Sequence, residues 1–332
     1  DRGVRRLSAV LFLLGYGLIT IPSILYSGSL AVLRLFDVPG LLGLEYSSAL
    51  MVTLFLIGVV GGMYAIFGGL RAVAISDTLN GVGLLIIGAL VPIFGLMALG
   101  EGDVTAGLNT VLTQDTHKLN AIGQAEDPVP FGTLFTGMIL ANLFYWGTNQ
   151  YVIQRTLGAR SLAEGQKGVL LAGFFKLLVP YLMMSPGVIA FHLYAGSLQT
   201  MDLAYPALVA DVLPVYLSGF FLAVLLGAVF SSFNSLLNSA ATLFCLDVYQ
   251  PLVNRPISDA QMIRVAKRVS LVIVLFSFAA APMLQFAPEG LWHIIRVFTG
   301  FYNIPIIALV LVGLFTNTVP PIAAKVVVVF HV

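Results

Sequence analysis

A chain of 332 residues that is 59% hydrophobic and 9% charged, with a mean hydropathy of +0.99, is not an ordinary soluble domain. Its net charge of +1 comes from basic residues scattered along the sequence, which argues against a nucleic-acid surface. The one cysteine, Cys245, excludes an intrachain disulfide and a cysteine-based metal cluster.

A membrane-spanning helix needs roughly 20 apolar residues to cross about 30 Å of hydrocarbon. Runs near 7–33, 46–67, 73–99, 132–154, 168–193, 217–244, 269–286 and 290–315 meet that length, and a last run at 320–332 reaches about half a crossing. The sequence opens at Asp1 without an initiator Met or a signal-peptide pattern, so it reads as an internal stretch of a longer polytopic protein. If Asp1 is cytoplasmic, the basic residues gather on that side. They are Arg2, Arg5 and Arg6, then Arg71, then Arg155, Arg160 and Lys167, then Arg255, Arg264, Lys267 and Arg268, and last Lys325. Arg34 and Lys118 fall outside, where the long 100–131 segment carries Glu101, Asp103, Asp115, Glu126 and Asp127.

The run at 132–154 contains Asn142, Tyr145, Trp146, Thr148, Asn149 and Gln150. Amides beside aromatic rings suit a sugar-sized polyol, with hydrogen bonds for its hydroxyls and a ring face for its C–H patches. An aromatic belt at the membrane interface is the alternative for Trp146, but Asn142 lies too near mid-span for it. Lys176 sits about nine residues into the next run, roughly 13 Å deep at about 1.5 Å per residue, beyond the reach of a snorkelling side chain. It requires a polar cavity or loss of its proton. Asp77, at the start of the run at 73–99, gains stabilisation from a helix N-terminus. Arg296 lies near an outer end and can snorkel. His192 and His293 are interfacial, and Asp247 is expected to cap its helix or pair with the basic loop that follows.

In the run at 217–244, Ala228, Ser231, Ser232, Ser235, Ser239 and Thr242 share one helical face, bordered by Asn234 and Asn238. In hydrocarbon each unpaired polar group costs several kcal/mol, so this stripe must meet protein, water or an ion. Close helix packing through small residues is one reading of the stripe. Neutral oxygens without fixed charge also suit a small hard cation. A membrane channel or a multi-span receptor remains the alternative class; an integral-membrane enzyme lacks a convergent acid/base or metal set.

Three segments together, ANLFYWGTNQYVIQRTLGARSLAEGQKG, GFFKLLVP and AVFSSFNSLLNSAATLFCLDVYQ, resemble the sodium:solute symporters, in particular the sodium/glucose and bacterial sodium/galactose branch. YAIFGGLRAVAISD and IIRVFTGFYNIPIIALVLVGLF resemble the approach to the family's fifth core helix and its tenth. The resemblance implies an all-α integral membrane protein of the leucine-transporter-like fold, two five-helix inverted repeats with sites at the midplane. It also implies that the first core helices are missing from the amino end.

Residue by residue, the resemblance gives Asn142 and Lys176 to the sugar and makes Tyr145, with Trp146 beside it, the cytoplasmic gate. Ala228 through its carbonyl, with Ser231 and Ser232, becomes half of a sodium site. Asp77, Ser231, Asn234 and Ser235 stand where some relatives hold a second sodium ion. At the tenth-helix position where this branch usually carries a sugar-binding Gln, this chain has Arg296, whose guanidinium near Lys176 suits a carboxylate. The expected activity is sodium-coupled symport of a sugar or related polar solute, with a sugar acid as the variant that Arg296 favours. Sodium ions, a small polar solute and the lipid bilayer are the expected partners, and nucleic acid is not.

Overall fold

The computed structural model describes residues 2–331 apart from 128, 195, 199–202, 254–255, 287–290 and 317, and within helices the side chains of 34, 67–73 and 291–294 are outside the description. Arg34, Arg71, Arg255 and His293 therefore lie outside the described groups. Helices α1 (Arg2–Leu14) and α2 (Ile21–Leu35) flank a π-helical segment, Gly15–Thr20, and make one long crossing. A short α3 (Val38–Leu42) leads into α4 (Tyr46–Leu99), then α5 (Val104–Thr113) and two 3-10 turns. Next come α6 (Gly137–Gly147), α7 (Gln150–Leu157), α8 (Leu162–Tyr194) and α9 (Ala204–Val212). Helix α10 (Val215–Leu243) continues through a π segment, Phe244–Tyr249, into α11 (Gln250–Val253). The chain closes with α12 (Asp259–Ala280), α13 (Leu291–Phe315) and α14 (Pro321–His331). No strand occurs among the described residues.

Among the described residues, seven helices are long and apolar enough to cross a membrane. They agree with seven of the eight expected runs. The run at 132–154 differs: it is split into α6 and α7 by a break at Thr148 and Asn149 and is not a single crossing helix. Gly147 and the polar Thr148–Asn149 pair weaken the ladder there. The runs at 46–67 and 73–99 differ in another way, because helical hydrogen bonding continues through both as α4, without a loop. The axis nonetheless turns. Gly61 packs on Phe230 while Asn80 packs on Gly227, yet 19 residues of straight helix would extend about 28 Å.

Both π segments precede a proline, Pro22 or Pro251, at the second position of the next helix. A proline cannot donate to the carbonyl four residues back and its ring crowds that carbonyl, which favours a locally widened turn. The first of these places Tyr16 in the core, fully buried beside Phe12, Phe144 and Tyr302. Their ring centroids lie 5.5 to 6.4 Å apart, in tilted, stacked and edge-on pairs. A second core joins α4, α8, α9 and α10 through Ile87, Val91, Ile189, Leu208 and Phe221.

Gly15 meets this ring cluster directly, since a methyl group there would stand 2.3 Å from the Tyr302 ring. Gly17, also in the π segment, has nothing within 4 Å of such a methyl. Gly15→Ala is therefore expected to destabilise the detergent-solubilised protein by about 1–3 kcal/mol, with Gly17→Ala close to neutral. Thermal unfolding of the two variants checks this, and equal effects would contradict the packing.

Candidate functional site

The oxygen stripe lies on α10, and its members are not equivalent. Ala228 and Ser231 are half-buried, Ser232 is exposed, and Asn234, Ser235 and Ser239 are buried. The exposed end thus offers the Ala228 carbonyl and two hydroxyls, a neutral oxygen set that fits one half of a sodium shell. Deeper along the helix, Ser235 Oγ donates to the Ser231 carbonyl at 2.6 Å. Asn234 is wholly buried, and neither its oxygen nor its nitrogen has a hydrogen-bond partner among the described residues.

Asp77 does not sit at a helix N-terminus, because α4 runs continuously past it. Its carboxylate is stabilised by a cation. Arg155, on α7, donates to Asp77 Oδ2 from Nε at 2.9 Å and from Nη2 at 2.5 Å. The same Nη2 donates to Ser235 Oγ at 2.5 Å, and Nη1 donates to the Tyr151 carbonyl at 3.1 Å. Gln154 adds a bond to the Ser235 carbonyl at 3.3 Å. Arg155 thus reaches from its expected place in a cytoplasmic loop to join α7, α4 and α10. With both partners less than one-third exposed, removing it leaves a poorly solvated carboxylate, at a cost of about 1–3 kcal/mol.

Asn142, expected to bind solute, and Tyr145 and Trp146, expected as the gate, share one face of α6 with Met138 by helical spacing. Asn142 Nδ2 donates to the Met138 carbonyl at 2.9 Å. Tyr145 and Trp146 meet edge-on with centroids 5.2 Å apart, and both are partly exposed. Lys176, midway along α8, places Nζ 5.4 Å from the Trp146 ring centroid, a cation–π contact. Arg296 from α13 reaches the other end of the face, with Nη2 3.0 Å from Met138 Sδ. It is not beside Lys176 as expected. Their contact residues, Met138 and Trp146, stand eight positions apart on α6, about 12 Å of helix axis. A cavity of about 330 Å³ opens at the Arg296 end, lined also by Thr133, Thr299 and Asn303. Asn303 Oδ1 is buried and has no hydrogen-bond partner among the described residues.

Behind this face, Phe144 stacks on Phe12 at 5.7 Å and meets Tyr302 edge-on at 5.9 Å, fixing α6 against α1 and α13. At the break, the buried Asn149 Oδ1 accepts from Tyr16 Oη at 2.6 Å, and its carbonyl starts α7 by accepting from Val152 and Ile153. Tyr16 and Arg155 are the residues bonded within this region that sequence reasoning missed. Their partners lie 133 and 78 residues away, and no local spacing marks either pair. Asp247 pairs with Arg5 of α1, a partner from another helix that the sequence did not indicate.

Comparison with known proteins identifies the family of the chain. The profile of the sodium:solute symporter family matches residues 2–321. An uncharacterized symporter, YidK, of Escherichia coli (strain K12) is 44% identical over 98% of this chain and 57% of its own length. The sodium/glucose cotransporter of Vibrio parahaemolyticus is 30% identical over 95% of this chain and 60% of its own. The chain therefore spans about three-fifths of the length of these relatives. A solved Na+-coupled sialic acid symporter in a substrate-bound, outward-open state superposes with a TM-score of 0.74 over all of this chain and 72% of that one, at 21% identity. That likeness establishes the leucine-transporter-like fold. The profile match over nearly the entire sequence, joined to this fold, places the chain in the sodium:solute symporter family.

Proposed function

We propose that this chain carries the solute-binding face and half of the sodium site of a sodium-coupled secondary symporter working by alternating access. The observation that carries the reading is the placement of Asn142, Tyr145, Trp146, Lys176 and Arg296 around one face of α6. The oxygens of the half-buried Ala228 and Ser231 and the exposed Ser232 lie on a separate helix. Named relatives in the family that transport glucose, and a human relative named for myo-inositol, support a hydroxyl-rich solute. Asn142 and Lys176 hydrogen-bond it, the Tyr145–Trp146 pair closes over it from the cytoplasm, and Ala228, Ser231 and Ser232 ligate the ion. The chain is a transporter with no reaction chemistry of its own, it lies in the cell membrane, and its Asp1 end is cytoplasmic by the distribution of basic residues.

Sodium binding favours the outward-open state and completes the solute site, so its release inward frees both. Each ion moving down a 100 mV potential contributes about 2.3 kcal/mol before its concentration gradient. That coupling requires different ion affinities in the two states. In sodium-driven uptake by the full-length protein in liposomes, Ser232→Ala is expected to raise the half-saturating sodium concentration about tenfold and leave solute affinity nearly unchanged. Asn142→Ala does the reverse. Equal loss of both affinities in each variant would sink the division of labour, and uptake unaffected by replacing sodium with potassium would favour a channel.

One sodium ion moves per cycle in this reading. In the second set, Asp77, Ser231, Asn234 and Ser235, a resident cation already engages two members, since Arg155 holds Asp77 and Ser235 together. An added sodium about 4 Å from the guanidinium would meet repulsion of about 4 kcal/mol at an effective dielectric of about 20. A hyperbolic dependence of uptake on sodium is expected; a sigmoidal one would restore the second ion.

A sugar acid is the variant favoured by Arg296, whose guanidinium lines the cavity at the end of the α6 face remote from Lys176. A bidentate fork at one end and an ammonium at the other suit a carboxylate-bearing solute longer than a hexose. Counterflow competition decides: uronic or sialic acids should compete, and Arg296→Gln should weaken that competition at least tenfold. Full competition by galactose or glucose, without competition by the acids, would leave the neutral sugar.

A further inference from the structure

Where α4 crosses α10, Gly227 has no side chain and the amide of Asn80 lies in the space left against the helix backbone. Oriented to satisfy both neighbours, Asn80 Nδ2 donates to the Val224 carbonyl at 2.9 Å and Oδ1 accepts from the Ala228 amide at 2.9 Å. These two backbone groups are one rung of the α10 ladder, the carbonyl of residue i and the amide of residue i+4. A side-chain amide carries a donor and an acceptor on one planar edge, which is the complement of that rung. The fit is close. A methyl at Gly227 would stand 2.4 Å from the end of the Asn80 amide, and one at Gly83, the next turn of α4, would stand 2.6 Å from Val224.

Ala228 is the residue whose carbonyl serves the proposed sodium site, and this inference rests on that proposal. We infer that Asn80 is a positioning residue for sodium binding. It holds the peptide plane leading into Ala228, so that the carbonyl on the other side of the same Cα keeps its direction. It also takes a share of the Ala228 N–H, which loosens the rung above without breaking the helix. Asp77 lies one turn away on the same face of α4, and through Arg155 it ties that helix to Ser235. Ser231 and Ser232 therefore lie between two attachments of α4 to α10, the amide at residues 224–228 and the ion-paired bridge at 235. The cavity of about 350 Å³ beside this crossing, lined by Ser76, Asn80, Gly83, Val224 and Gly227 among others, leaves no other polar side chain to take over if the amide is removed, apart from Ser76.

The experiment measures half-saturating sodium, and half-saturating solute at saturating sodium, for the full-length protein in proteoliposomes. Asn80→Ala is expected to raise the first about tenfold and to leave the second within about twofold, the usual scale for a group supporting a metal ligand. Gly227→Ala displaces the amide without altering Asn80 and is expected to act in the same direction. The double variant should be no worse than Asn80→Ala, because the methyl then has nothing to displace. Should Asn80→Ala fail to accumulate in the membrane, Gly227→Ala carries the same test. An unchanged sodium dependence in Asn80→Ala, while Ser232→Ala raises it, overturns the positioning role and leaves the sodium site standing. No change in either variant overturns the sodium site and this inference with it. Parallel loss of sodium and solute affinity, additive in the double variant, would show mere packing and also overturn it.

Discussion

An unpaired polar group in hydrocarbon costs several kcal/mol, and α10 carries more of them than any helix could leave to lipid. Much of the architecture around it is a set of answers to that cost. Ser235 turns back to the carbonyl of its own helix and at the same time accepts from Arg155. Gln154 reaches the Ser235 carbonyl, and the Asn80 amide lies along the rung from Val224 to Ala228. Each answer recruits another element: α7 through Arg155 and Gln154, and α4 through Asp77 and Asn80. Oxygens at Ala228, Ser231 and Ser232 remain at the less covered end, where a cation can use them.

The apolar lengths and the spacing of polar residues were enough to foretell most spans and the stripe, because both depend on local periodicity. Departures came where chemistry crosses long sequence separations or where local rules compete. Arg155 reads as a loop cation because the positive-inside pattern counts charges without asking where a side chain reaches. Its partner is 78 residues away. Asp77 reads as a helix start because the apolar run begins there, whereas α4 passes through it. Asn80 stands three residues after Asp77, which helical spacing places on one face, and that was a readable sign of a shared role. Tyr16 carried no such sign, since its burial depends on a π turn set by Pro22 and on rings from α6 and α13.

On the solute side the same logic runs with opposite emphasis. The face of α6 bearing Asn142, Tyr145 and Trp146 is left partly uncovered, while Phe144 on its other side is wholly buried among rings. A helix fixed by its back can hold an amide and two aromatic edges toward a ligand without relying on the ligand to order them. Lys176 and Arg296 come from different helices, so the distance between the two positive charges depends on the tilt of α8 and α13 relative to α6.

The break at Thr148 and Asn149 has a mechanical meaning. Upstream, α6 is fixed to α1 and α13 by the Phe144 stack; downstream, α7 is fixed to α4 and α10 by Arg155 and Gln154. The joint between these two bodies is two residues long, and Tyr16 fastens the second of them through one hydrogen bond to Asn149. An intact helix would resist bending along its whole length, whereas a two-residue break gives up part of the hydrogen-bond ladder at one point. In the proposed reading, the aromatic edges over the solute and the serines facing the ion thus lie on opposite sides of this joint, linked across it by the Tyr145–Tyr151 ring contact.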